Sequence, residues 1–377
     1  MGEIDYACAG FSVRPDFAEG HNRYWQRLPK PGYWFTGAER VDMAKEVRNA
    51  PNCKLCQDRK AALSPNMVSG EHDKVTDLPD VIVEVIHRVI TDPKRLTKSW
   101  FESFMDQGLT PEQYIEIVGT ALHVFMIDEF CRGIGAPLNP LPTPVAGAPS
   151  KYRPANTIDI GAWVEVLPFE IASDTPEADL NGKIGFNVFR GLSLAPDEVR
   201  TVIDLIAIHY LSGEEIGDFR CGFRGTLDRY QKEAVATRIS SFNQCFYCTS
   251  GHAAMLSVSY HFTKSEQIDM TGLTDPNCKE LKGVPNSKAL ISFCDAFMDG
   301  DDDELSAARQ ALVESMGAEV MVDVAGIASN FQRMNRIADS TGIPIDPATN
   351  EKGDARRHKM NEHLGINAYG SAANTLK

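Results

Sequence analysis

A chain of 377 residues with 43% hydrophobic and 24% charged side chains is long enough for two domains with full cores. Its net charge of −14 argues against a nucleic-acid partner or an anionic membrane surface, since both need clustered Lys and Arg. Apolar runs such as Thr201 to Leu211 are broken by Asp204 and His209 and are too short to span a bilayer, so no membrane partner is expected. The N-terminus lacks the basic-then-apolar form of a secretory signal, and nine cysteines with only two closely spaced pairs suit a reducing compartment. A soluble, cytoplasmic protein is the expectation.

Along the chain, Cys53-Lys54-Leu55-Cys56 comes first. Thr110-Pro111-Glu112-Gln113 then reads as a capping box opening a helix through Tyr114, Ile117 and Leu122. Residues 137 to 154 hold six prolines and predict an extended linker. Trp163 to Leu167 fits either a short strand or an extended packing segment. Pro196 suits the first turn of a helix through Val199, Ile203, Ile206 and Tyr210. Asp299 to Glu304 reads as the acidic start of a helix, and Glu319 to Asp339 carries apolar residues at helical spacing. The stretch from Thr349 to Lys377 is polar and reads as disordered or as an arm on a neighbouring subunit.

These landmarks repeat. Cys53 and Cys56 answer Cys245 and Cys248, Phe104-Met105-Asp106 answers Phe297-Met298-Asp299, and Gly135-Ala136-Pro137 answers Gly342-Ile343-Pro344. The order implies a duplication. The expected divisions are a first repeat over 1–136, a linker over 137–156, a second repeat over 157–348 and a tail over 349–377. Outside the linker and Trp163 to Leu167 the periodicity is helical, and a mostly α-helical chain is expected.

The stretch Asn243-Gln244-Cys245-Phe246-Tyr247-Cys248-Thr249-Ser250-Gly251-His252 carries the chemistry. If Asn243 caps a helix, Cys245 falls in the first turn, with Cys248 and His252 following on one face. Such a face holds a thiolate favoured by the helix N-terminus, a second thiol to resolve it, and a proton carrier. Redox chemistry, a metal site and buried packing all remain possible readings of the cysteines.

Glu233, Arg238-Ile239-Ser240, Asn243, Cys245, Tyr247-Cys248 and His252 together resemble the alkyl hydroperoxidase D and carboxymuconolactone decarboxylase superfamily. The similarity spans roughly residues 185 to 347 and continues through Asn330-Phe331-Gln332-Arg333-Met334-Asn335-Arg336 into Gly342-Ile343-Pro344, as in its peroxidase-related members. The resemblance implies an all-α fold, which with the repeated landmarks predicts two tandem repeats, the first degenerate. It also implies a thiol-dependent peroxidase acting on a hydroperoxide, reduced by an external dithiol, needing no cofactor and assembled as a homo-oligomer. By position, Cys248 would attack, Cys245 resolve, His252 move the proton, and Glu233 orient and polarise His252. Tyr247 is a secondary candidate whose ordinary role is packing. Arg238 could equally serve an ion pair at an oligomer interface.

The first repeat departs from this pattern. Lys60 stands where His252 would be, and Val41 where Glu233 would be. Cys53 and Cys56 are therefore either a structural remnant or a second dithiol; Lys60 could lower a thiol pKa but is a poor proton shuttle, and His72 or His123 could replace the relay. Zinc held by all four paired cysteines is disfavoured by their separation, and Cys53, Cys56 and His72 lack an evident fourth ligand. No metal is expected. A ring-carboxylate lyase and a non-enzymatic redox sensor are the rival functions.

Overall fold

The computed structural model describes residues 3–218, 226–263, 268–348 and 350–376. The chain is all-α, and among the described residues there is no strand, only an isolated antiparallel bridge between Ile158 and Val166. The first half contains α1 (Pro15–Arg27), α2 (Gly37–Asn49), α3 (Lys54–Ala61), α4 (Asp80–Thr91), α5 (Lys98–Asp106) and α6 (Pro111–Ile134). After a long irregular segment come α7 (Asn187–Arg190), α8 (Pro196–His209), α9 (Gly213–Gly217), α10 (Arg229–Phe242) and α11 (Phe246–Thr263). The rest is α12 (Ser287–Asp299), α13 (Asp302–Met316), α14 (Ala318–Thr341), α15 (Glu351–His363) and α16 (Ala372–Thr375).

Local chemistry sets many of these boundaries. Thr110 caps α6 through the Gln113 N–H while Gln113 returns the bond, and Pro111 occupies the first turn. Asp301 and Glu304 form the same reciprocal cap on α13, which places Asp301 to Glu304 at a helix start, while Asp299 closes α12. Both α6 and α14 end on a left-handed glycine, Gly135 and Gly342. At Gly342 a side chain would also collide with the Trp163 indole, so the closing turn needs glycine twice over.

The two longest helices, α6 and α14, have 24 residues each and pack along one another at the centre. Almost every residue of α14 is buried, as expected for a helix enclosed on all sides. Helices α2 and α4 pack on α6, while α10 and α13 pack on α14. Helices α1 and α8 lie against each other, and α8 also touches both central helices. One continuous apolar core therefore runs through both halves. No helix among the described residues is long and apolar enough to cross a membrane.

The Pro-rich stretch lies extended along the first half, held where Val145 N–H bonds the Pro29 carbonyl and the Trp25 indole bonds the Pro140 carbonyl. Trp163 to Leu167 is the packing segment rather than a strand, with Trp163 N–H on the Thr341 carbonyl at 2.9 Å. The C-terminal stretch differs from the expectation of disorder or an arm on another subunit. Residues 350–376 fold back on their own chain, and Leu364, Ile366 and Ala372 pack with Phe246 and Ala253 of α11. Three apolar side chains, spread through an otherwise polar stretch, supply this contact. Thr349 and Lys377, the expected limits of the tail, lie outside the described residues.

Candidate functional site

Asn243 does not open the motif helix, as the sequence suggested. It closes α10, donating its N–H to the Ile239 carbonyl, and Gln244 turns the chain with a φ of 49°. Asn suits both helix ends, which is why its sequence context misleads. Cys245 takes the N-cap position instead, since its carbonyl accepts the Thr249 N–H at 3.0 Å and α11 begins at Phe246. Cys248 and His252 then follow on α11. The Phe246 N–H at this helix start is bonded at 2.9 Å by Ser371 Oγ, which in turn donates to the Gln244 carbonyl at 2.7 Å.

The relay residues named from the sequence do meet. Glu233 of α10 accepts from His252 Nδ1 at 2.7 Å and is completely buried. Its other oxygen is held by the Tyr210 hydroxyl and the Arg229 guanidinium. Burial alone would raise the Glu233 pKa. The hydrogen bond from His252, then the His252 and Arg229 charges and the Tyr210 hydroxyl, outweigh it and hold the carboxyl below its ordinary value. The His252 ring stands edge-on to Phe331 of α14, with centroids 4.4 Å apart. Ring position and tautomer are thus set from several sides.

The two thiols have different surroundings. Cys248 lines a cavity of about 940 Å³ together with His252, Tyr210 and Tyr247, a volume suited to a small organic ligand. Much of its wall is apolar, including Phe186, Phe189, Met255 and Phe331, with Lys282 and Arg356 among its polar members. Cys245 is fully buried behind Cys248, and its Sγ lies 3.8 Å from the Asn335 carbonyl. Burial, then the neighbouring Cys248 thiol, pushes the Cys245 pKa well up. Asp339 stands beside it with both carboxyl oxygens buried and the Cys245 thiol as their polar neighbour. Burial and then the Cys245 thiol push that carboxyl well above its ordinary range, toward the neutral acid.

Tyr247 also lines the cavity. Its hydroxyl donates to Asp346 and accepts the Val188 N–H at 3.2 Å, tying α11 to its surroundings. Arg238 is buried within the chain, paired with Asp295 at 2.9 Å and bonded to the Asp275 carbonyl at 2.6 Å. Its partners are internal. Sequence reasoning missed Tyr210, Arg229 and Asp339. Only the Arg229/Glu233 spacing of one helical turn offered a signal.

In the first half, Cys53 repeats the Cys245 geometry, capping α3 as its carbonyl accepts the Gln57 N–H at 3.1 Å. Lys60 is exposed near the end of α3. His123 is buried elsewhere, between Glu198 and Arg333. His72 does reach the thiols, at 3.4 Å from Cys53 and 3.6 Å from Cys56. A second histidine, His87 of α4, lies 3.4 Å from Cys56 and was not foreseen. Cys53, Cys56, Cys245 and Cys248 do not form one cluster; the group of possible metal ligands among the described residues is Cys53, Cys56, His72 and His87.

No protein-family model, curated protein or solved structure matches this chain.

Proposed function

We propose that the protein is a thiol-dependent peroxidase that reduces organic hydroperoxides through Cys248 and Cys245, as its resemblance to the alkyl hydroperoxidase D superfamily implies. The observation that carries this reading is the shared wall: Cys248 and His252 face one largely apolar cavity while buried Glu233 grips the far side of the imidazole. The Cys248 thiolate attacks the distal peroxide oxygen, breaking the O–O bond and forming a sulfenic acid. The departing alkoxide takes a proton through His252 and leaves as an alcohol. Cys245 then condenses with the sulfenic acid, releasing water and forming a Cys245–Cys248 disulfide. An external dithiol returns two electrons and two protons by exchange. Arg229 and Tyr210 keep Glu233 in place rather than entering the chemistry. The apolar wall favours an organic hydroperoxide over hydrogen peroxide.

The deciding experiment is thiol titration of the reduced chain before and after one equivalent of cumene hydroperoxide, followed by turnover with a dithiol. Loss of two thiols per chain with catalytic consumption is expected. Unchanged thiols would overturn the proposal, and oxidation without turnover would favour a redox sensor. The resemblance also implies a homo-oligomer, which sedimentation of the intact protein tests; a monomer would contradict it.

Glu233→Gln keeps the shape of the side chain and removes its charge. The rate of Cys248 oxidation should fall by roughly a hundredfold, within the span of general acid–base assistance, and the pH–rate profile should change form. Stopped-flow oxidation across a pH series measures both. An unchanged rate and profile would remove Glu233 from the relay.

A further inference from the structure

The geometry points to a second site, a structural zinc centre made by Cys53, Cys56, His72 and His87. It lies apart from the cavity and does not depend on the peroxidase reading. Each of the four residues offers one ligand atom, and all four atoms lie within 4.8 Å of one another. Sulfur-to-nitrogen separations are 3.4 Å for Cys53–His72, 3.6 Å for Cys56–His72 and 3.4 Å for Cys56–His87. A tetrahedral zinc with Zn–S near 2.3 Å and Zn–N near 2.0–2.1 Å places sulfur and nitrogen about 3.6 Å apart. Three edges of that tetrahedron are therefore already close to the length zinc needs.

The outer shell is built as well. Both histidines turn Nδ1 toward the thiols and Nε2 toward a carboxylate, Glu84 at 2.6 Å and Glu46 at 3.1 Å. A carboxylate on Nε2 fixes the proton there and leaves the Nδ1 lone pair for a metal. Glu84 is held in turn by Arg59 at 2.6 Å, and Glu46 by the Val75 N–H at 2.9 Å and Thr76 Oγ1 at 2.6 Å. Simple thiol–imidazole hydrogen bonding needs one histidine. Two, each braced by its own glutamate, complete a ligand set.

Four protein ligands leave no open coordination position, so the site holds structure rather than performs catalysis. Its placement agrees. Cys53 and Cys56 sit at the start of α3, His87 on α4, and His72 on the irregular stretch between them, where the only helix is the short turn Pro65–Met67. That stretch leaves Leu63 and Met67 in solvent and gains little from apolar burial. The ion would fasten it to two helices. Binding exchanges the Cys53 and Cys56 thiol protons for one zinc, and two thiolates neutralise the ion's double charge.

The test uses the full-length chain, reduced, loaded with zinc, dialysed and assayed by atomic emission. About one zinc per chain should remain, with the same content in Cys248→Ser, and cobalt loading should give the intense visible bands of a tetrahedral thiolate site. His72→Ala and His87→Ala should lose the ion, and Glu84→Gln should bind it about 10- to 100-fold more weakly. The wild-type cobalt spectrum needs no variant and stands even if His87→Ala fails to fold. No retained zinc, a weak octahedral cobalt spectrum, or zinc retained in both histidine variants would overturn the assignment.

Discussion

Cys248→Ser is expected to lower organic-hydroperoxide turnover by at least about a thousandfold, because a serine hydroxyl stays protonated where a thiolate is needed. Cys248 is the thiol exposed to the cavity, whereas Cys245 is sealed behind it. Cys245→Ser should therefore react once and stop, leaving a sulfenic acid at Cys248 that a dimedone-type reagent traps. Cys8→Ser changes an exposed cysteine and should retain wild-type turnover. Steady-state assays with mass spectrometry of the trapped adduct separate the roles. Trapping at Cys245 in the Cys248 variant, with turnover preserved, would reverse the assignment.

Glu198→Ala is expected to cost about 3–5 kcal/mol of stability, the range for breaking a buried ion pair from one side. Glu198 of α8 is 1% exposed and accepts from Arg27 of α1 at 2.8 and 2.6 Å, from Arg40 of α2 at 3.3 Å and from His123 of α6 at 3.2 Å. One carboxylate thus joins four helices from both halves. Burial would raise its pKa, but the Arg27 and Arg40 charges and the Arg27 and His123 hydrogen bonds carry it well below the ordinary value of 4.5. Its contribution is therefore fully present above pH 4.5 and is lost as pH falls toward the lower folded pKa. His123 adds to acid sensitivity. Burial brings its pKa from 6.5 to about 4, so the unfolded chain takes up that proton first and stability drops between those values. Urea unfolding at neutral pH and through the acid range should show a smaller loss on acidification in Glu198→Gln than in the wild type. Equal slopes would mean that Glu198 is not ionised in the folded state.

What the sequence disclosed was local. The reciprocal cap at Thr110 and Gln113, the acidic start of α13 and Pro196 in the first turn of α8 depend on neighbours within a turn, and each was readable. The pairing of Glu233 with His252 was expected only from the resemblance, because the two residues lie on α10 and α11 with the turn at Gln244 between them. His87 was hidden because it reaches Cys56 from a separate helix, 31 residues along the chain. Tyr210 is 23 residues from Glu233, just past the end of α8, and meets it only in the folded chain. The C-terminal helices escaped notice for a compositional reason: polar residues dominate their sequence while a few apolar ones make the contact.

Those C-terminal helices also set an order of events in biosynthesis. Gly353, Arg357, Met360 and His363 of α15 line the cavity, and Ser371 bonds the backbone at the start of the Cys248 helix. All of them leave the ribosome after Glu233, Cys245, Cys248 and His252. A nascent chain halted before residue 351 carries both thiols, Glu233 and His252, with one wall of the cavity still unmade. Until α15 is made, Cys248 lacks the part of its enclosure that Gly353, Arg357, Met360 and His363 supply.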